Sequence, residues 1–338
     1  MNKPIRTMAI GCLVLFLALL INSTYLQYLQ AEELNSRPDN KRVRDAEFSR
    51  ERGAILVRGQ SIAESKPSDD EFKFQRRYPQ PTKYAHLSGY YSYTYGRNAL
   101  ELTQNDILSG SDPRLFVNRV VDMFGNTQPK GGDVSLTIDP KAQNAAYNGL
   151  RKLGGPNIKG SVVALDPSTG AILAMVSSPS YNPNLLASHK LSTLPRAWKR
   201  LSEDPNRPML NRGIQEIFPP GSTFKLVTAA AALSSGQYTP ESMVPGGSSL
   251  DLPQTTTNLP NENGMSCGGD RITLTQALRV SCNVAFGWLG LQLGDDALRE
   301  QAQKFGFGDK YLDDLNDQAE SVFPAKPDAP QTALSAIG

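Results

Sequence analysis

The sequence predicts an α+β protein carried on one N-terminal membrane helix, and three observations predict it. Lys3 and Arg6 precede fourteen apolar or small residues, Met8 to Ile21, and softer residues extend the run to Leu29, long enough to cross a bilayer. Strand-type patterns at 133–139, 160–166 and 171–176 precede a series of helical patterns from Ser222 onward, the order of an α+β arrangement. A break at Gln128-Pro129-Lys130-Gly131-Gly132 sets these apart from a smaller mixed region before them. At 338 residues the chain is long enough for two domains with sizeable cores. The expected organisation is a tail at 1–7, a transmembrane signal-anchor at 8–29, a pedestal domain at 30–132 and a larger domain at 133–338.

The first helix admits two readings, a cleaved signal peptide or an anchor that stays in the membrane. No A-x-A pattern follows it, and Tyr25 and Tyr28 suit the membrane–water interface, which favours the anchor. Positive charges before the helix are expected to keep the N-terminus cytoplasmic, so that everything after about residue 30 lies outside the cytoplasm. Lys and Arg total 35 against 33 acidic residues, dispersed without a basic stripe, so no nucleic-acid partner is expected.

Within the pedestal, residues 30–45 are polar and read as a connector. Arg52 to Val57, Arg58-Gly59-Gln60 and Ser61 to Ala63 read as a hairpin. Lys66 to Arg77 is charged and reads as a solvated loop or edge. Tyr90, Tyr91, Tyr93 and Tyr95 read as packing aromatics, and 99–108 and 113–124 as short helices. Beyond the break, 133–139 alternates like a strand, and a helix over 140–153 starts with Pro140 in its first turn. Two strands, 160–166 and 171–176, flank Pro167-Ser168-Thr169-Gly170, a hairpin turn. Residues 178–221 are rich in Pro and Asn. A helix from Ser222, a long loop at 236–271 and helices over 273–280, 284–293 and 295–305 follow. His86 and His189 are isolated and read as structural, with no metal-ligand spacing around them, and Trp198 and Trp288 read as core or interface residues.

The cysteines sort by topology. Cys12 lies in the apolar helix and acts there as a small hydrophobe. Cys267 and Cys282 fall in the exported part, where disulfides persist. A bridge between them would close a loop of about fifteen residues and stabilise by ~3 kcal/mol on chain-entropy grounds. Two separate thiols are the alternative, and the bridge is favoured.

The chemistry concentrates at Pro219-Pro220-Gly221-Ser222-Thr223-Phe224-Lys225. Residues i and i+3 share a helix face, so the Ser222 hydroxyl and the Lys225 amine can meet. The Pro-Pro-Gly entry places Ser222 at a helix N-terminus, where unpaired N–H groups favour negative charge developing on oxygen. That positive end and burial both disfavour an ammonium, leaving Lys225 able to take a serine proton. The alternative is a Ser222 that merely caps its helix beside a solvated Lys225. Ser281-Cys282-Asn283, on a loop between two helices, adds a hydroxyl and an amide that can face one cleft.

S-x-x-K followed by S-x-N is the order found in penicilloyl serine transferases. The stretches GSVVALDPSTGAILAMVSSPSYNPN, LNRGIQEIFPPGSTFKLVTAAAAL, QTALSAIG and RGAILVRGQSIAES resemble a class B penicillin-binding protein over about residues 42–338. The short pre-catalytic region is most similar to the actinobacterial members. The resemblance implies a transpeptidase domain of helices around an antiparallel sheet. It implies a D,D-transpeptidase that cross-links peptidoglycan stem peptides, needs no cofactor and is acylated by β-lactams. Ser222 matches the nucleophile, Lys225 the base, Ser281 the proton relay and Asn283 the substrate-binding amide.

Two departures stand out. RGAILVRGQSIA lacks the Asp of the family's R-G-x-I-x-D-R pattern. No K-T-G follows, so the domain is expected to be incomplete at its C-terminal side, with an unpaired edge on the 160–176 strand pair and weak or absent activity of the chain as given. The rivals are a D,D-carboxypeptidase or β-lactamase of the same fold, or a non-catalytic membrane-anchored scaffold. About a hundred residues between the membrane helix and position 133 are too few for a membrane glycosyltransferase domain. Polymerisation would fall to a separate membrane partner, which the resemblance also implies.

Overall fold

In a computed structural model, the described residues are 3–30, 33–34, 41–115 and 130–338. They fall into two compact units, Met1–Leu210 and Asn211–Gly338, each with its own core.

The first unit begins with the helix Lys3–Thr24, continued by a single π-turn, Tyr25–Leu29. The two together span 27 residues, and their most apolar 18-residue stretch has a mean hydropathy of 2.2 and buries none of its surface inside the protein. At 1.5 Å per residue this exceeds the ~30 Å hydrocarbon layer, so the helix is long and apolar enough to cross a membrane.

A four-stranded sheet follows, in the order Phe74–Arg77, Gln60–Pro67, Ile55–Val57, Val134–Leu136. The hairpin expected at 52–63 is present as Ile55–Val57 against Gln60–Pro67, and Val134–Leu136 joins it in parallel. Gly131 makes this junction possible. A Cβ there would lie 1.8 Å from the Leu108 carbonyl oxygen, while its N–H donates to Glu51 O at 2.9 Å. Of the charged segment 66–77, read as a solvated loop or edge, Lys66 and Pro67 end the second strand and Phe74–Arg77 forms the edge strand, with one of its charges facing inward. Arg76 donates through Nε to Glu101 Oε1 at 2.6 Å, and Arg52 donates to Glu101 Oε2 at 2.6 Å. Tyr78 Oη donates to the same carboxylate at 3.1 Å. Burial pushes the Glu101 pKa up, but the charges of Arg76 and Arg52 outweigh it and hold the carboxyl below its ordinary range.

The tyrosines pack as expected of core aromatics. Tyr91 stacks on Phe48 at 4.3 Å, and Tyr95 stacks on Trp198 at 4.4 Å. His86 meets Pro208 O at 2.9 Å, and His189 pairs with Asp70. The segment 99–108 divides into two short helices, Ala99–Thr103 and Asn105–Ser109. Of the expected 113–124 helix, Pro113–Leu115 forms a 3-10 turn and the rest lies outside the described residues.

The helix Pro140–Gly154 starts on Asp139, whose carboxylate accepts the N–H of Lys141 and of Ala142, both at 2.9 Å. It packs on the antiparallel hairpin Gly160–Leu165/Ile172–Ser178, whose turn is tied by Asp166 accepting from Ser168 N at 2.9 Å. Buried Gln143 bonds the strand's middle through both ends of its amide, accepting from Met175 N and donating to Met175 O, each at 2.9 Å. That pair fixes the helix along the strand. The segment 178–221, read only as rich in Pro and Asn, also contains the helix Leu194–Ser202.

The second unit is helical with small strand pairs. Its core joins Ala229 and Ala232 of the helix Lys225–Ser234 to Val284, Phe286 and Leu289 of the helix Asn283–Lys304. Full burial of each large side chain contributes ~1.5–3 kcal/mol. The two helices expected at 284–293 and 295–305 are one run broken at Gly294, which has φ +80°. Gly290 lets the helix Ala329–Ser335 approach closely: a Cβ at 290 would lie 2.5 Å from the Ala336 Cβ. The loop at 236–271 is not structureless. Met243–Pro245 pairs with Arg271–Thr273, and Ser249–Asp251 with Asn258–Pro260.

Candidate active site

Pro219 and Pro220 deliver the chain into a 3-10 turn, Gly221–Phe224, which runs directly into the helix Lys225–Ser234. Gly221 sits at φ +56°, a conformation that suits glycine. The turn is oriented by its neighbours. Phe224 is buried against Phe307 and Phe323, with ring centroids 5.6 and 5.8 Å away. With Phe224 and Lys225 turned inward, Ser222 and Thr223 are left exposed.

Lys225 is 1% exposed, one of the largest fully buried side chains among the described residues. Its Nζ reaches four oxygens: Ser222 Oγ at 3.2 Å, Ser281 Oγ at 3.0 Å, Ser281 O at 2.7 Å and Asn283 Oδ1 at 2.6 Å. Two of these, the Ser281 carbonyl and the Asn283 amide oxygen, can only accept. A neutral amine has two N–H donors for those two and a lone pair left for a hydroxyl proton. Burial lowers the Lys225 pKa, the direction that populates this form, and the charge of Glu262 partly opposes it.

Ser281 holds φ +56°, uncommon for a residue with a side chain, and that backbone aims both its carbonyl and its hydroxyl at Nζ. Asn283 opens the long helix. Its Oδ1 faces Lys225, while its Nδ2 donates to Pro260 O at 3.0 Å. Cys282 between them is bonded to Cys267, with the Cα atoms 5.8 Å apart. The bridge ties the S-x-N turn to the loop after Asn258–Pro260, and Cys12 is the free cysteine.

All four residues singled out for chemistry, Ser222, Lys225, Ser281 and Asn283, thus stand in one hydrogen-bonded group, with the Cys267–Cys282 bridge alongside. Chemically the group offers an exposed hydroxyl, a buried amine to accept its proton, a second hydroxyl on that amine and an oriented amide. No cluster of three or more His, Cys, Asp or Glu side chains suited to a metal occurs among the described residues.

Three features escaped the sequence reading. The Pro260 carbonyl and the Asn261 side chain brace the S-x-N turn from a segment that reads only as part of a long loop. Glu262 is the carboxylate whose charge reaches Lys225. Gly338, at φ +102°, lies against Gly221, where a Cβ would be 1.9 Å from the Gly221 carbonyl oxygen.

Comparison with known proteins bears on this geometry. The penicillin binding protein transpeptidase domain matches residues 160–338, and the penicillin binding protein A dimerisation domain matches 52–134. The whole chain is 43% identical to a peptidoglycan D,D-transpeptidase PbpA of Mycolicibacterium smegmatis and 42% identical to one of Mycobacterium tuberculosis. It spans 69% of the length of each. Among solved structures, an imipenem acyl-enzyme complex of penicillin-binding protein A from M. tuberculosis superposes with a TM-score of 0.82 at 44% identity. That match covers 87% of this chain and 67% of the other. A penicillin G acyl-enzyme complex of the same protein gives 0.80 at 44% identity, covering 86% of this chain and 66% of the other.

Proposed function

The chain belongs to the class B penicillin-binding proteins of the penicillin-binding-protein-A type, and we propose that it is a peptidoglycan D,D-transpeptidase working through an acyl-enzyme on Ser222. One observation carries this reading: the buried Lys225 amine sits 3.2 Å from the exposed Ser222 hydroxyl, with its two N–H donors occupied elsewhere.

Ser222 Oγ attacks the carbonyl carbon of the penultimate D-alanine of a stem peptide while its proton passes to the Lys225 lone pair. The C–O ester bond forms as the amide C–N bond breaks. Ser281 hands its hydroxyl proton to the departing amine and recovers one from Lys225 Nζ, 3.0 Å away. D-Alanine leaves, and the proton balance on the lysine is restored. An acceptor amine then attacks the ester, gives up its proton along the same path, and frees Ser222 with a new amide bond made. The Asn283 Nδ2 group supplies a donor for the substrate amide beside the one it spends on Pro260 O. A β-lactam enters the first half of this sequence through its ring amide.

The same reading assigns 30–132 to a pedestal and 133–338 to the catalytic domain. It keeps the tail at 1–7 cytoplasmic and the bulk of the chain on the outer face of the membrane, and it leaves glycan polymerisation to a separate membrane enzyme. Labelling with a fluorescent penicillin, on the protein expressed from its own gene and on Ser222→Ala, tests the assignment. The parent should label and the variant should not; label that survives Ser222→Ala rules out Ser222 as nucleophile.

A further inference from the structure

The helix Asn283–Lys304 begins on Cys282, whose side chain makes no cap and whose sulfur is committed to Cys267. The first N–H groups of a helix need partners, and a residue at the cap position ordinarily supplies one. Here the partner comes from another segment. Asn261 Oδ1 accepts the Val284 N–H at 3.1 Å. The other end of the same amide donates to Gly247 O at 2.9 Å and to Met265 O at 2.8 Å. Its backbone N–H donates to Ser248 O at 3.2 Å, and its carbonyl accepts from Gly264 N at 2.9 Å. Every polar group of Asn261 is therefore spent in locking residues 247–265 to the start of one helix.

That lock reaches the site within two bonds. Pro260, the residue before it, presents the carbonyl that takes the Asn283 Nδ2 proton. This bond decides which end of the Asn283 amide faces Lys225, since the oxygen and nitrogen ends are nearly the same in shape. With Nδ2 held by Pro260, Oδ1 is the end that lies 2.6 Å from Nζ. An amide turned the other way would set a donor against the donor protons of Lys225.

We propose that Asn261 is a positioning residue for acylation: by capping the Asn283 helix from outside and fixing Pro260, it holds the Asn283 amide oxygen on Lys225. The inference rests on the acylation chemistry assigned to Ser222. Only an asparagine fits the three bonds together. Aspartate keeps the acceptor for Val284 but sets a carboxylate against two carbonyls, and alanine keeps nothing.

The test is the second-order rate constant for acylation by a fluorescent penicillin, followed across pH for the full-length parent and for Asn261→Ala, with unfolding checked by circular dichroism. The plateau rate should fall by at least about tenfold, the factor one hydrogen bond of this kind carries. The acid limb should also move to lower pH, because Lys225 loses an oriented acceptor for its ammonium. Mere loss of folded protein would lower the amount of label taken up and leave both the rate constant and the limb in place. A folded Asn261→Ala with the parent's limb and a plateau within about twofold of the parent's overturns the proposal. Should that variant not fold, Asn261→Asp decides: it keeps the Val284 cap, and a plateau within about twofold of the parent's again overturns it. A parent that does not label at all rejects the acylation reading and this inference with it. Normal parent labelling with unaltered variants rejects the inference alone.

Discussion

Replacing Lys225 by methionine removes the base while keeping an unbranched chain of similar volume in a site that is 1% exposed, so the core around Phe224 and Val227 keeps its packing. Two consequences can be sized. Losing a general base held at hydrogen-bond distance costs ~10²–10⁴ in rate, or ~3–5 kcal/mol of transition-state stabilisation. Separately, the Ser281 carbonyl and Asn283 Oδ1 lose donors at 2.7 and 2.6 Å, at ~1–3 kcal/mol for each acceptor that finds no other partner. The first effect appears in acylation and the second in thermal unfolding, so the two can be read apart. Burial lowers the Lys225 pKa, so the parent's rate should rise as pH passes upward through that lowered value and the neutral amine accumulates. Lys225→Met should lose that limb together with the rate. The assay is pseudo-first-order labelling by a fluorescent penicillin between pH 5 and 10, on protein whose fold is checked by circular dichroism. A folded Lys225→Met that labels within about tenfold of the parent and keeps the acid limb refutes the assignment of Lys225 as base.

Two further outcomes follow from charges near the site and in the first unit. Glu262 raises the Lys225 pKa against the effect of burial, so Glu262→Gln should move the acid limb of the same labelling profile to lower pH; a shift to higher pH would contradict the electrostatics described here. Glu101→Gln keeps the side-chain shape but leaves Arg76 buried without its anion and Arg52 with Glu47 alone, 3.6 Å away, and should cost ~3–5 kcal/mol in thermal unfolding at pH 7. Because the Glu101 pKa is held below its ordinary 4.5, the parent's advantage is complete above that value and fades as pH falls through the lowered one. A gap that persists unchanged into acid, or one under about 1 kcal/mol at pH 7, would show that the charge is not what matters there.

What the chain determined by itself is local. The i, i+3 spacing of Ser222 and Lys225, the Pro-Pro-Gly entry, the Asp166–Gly170 hairpin turn and the Asp139 cap each depend on residues within a few positions of one another. Backbone sterics and hydrogen bonding settle such features without reference to the rest of the fold. The apolar run that became Lys3–Leu29 was legible for the same reason. Arg76 was not legible. In a charged stretch an arginine reads as solvated, and only the return of Glu101 from another segment makes its burial affordable. Gln143 likewise looks like any helix residue until the strand through Met175 lies beside it. At the site, the sequence supplied the four groups but not their geometry. Lys225 Nζ meets Ser281 and Asn283 across more than fifty positions of chain, Ser281 aims its carbonyl there only at φ +56°, and Asn261 braces the turn from 23 positions before Val284. Contacts of that range are set by where helices pack and loops close, and the closure entropy is offset only by the whole core together. Tertiary structure therefore decided how the amine beside Ser222 is buried, oriented and left with a lone pair to use.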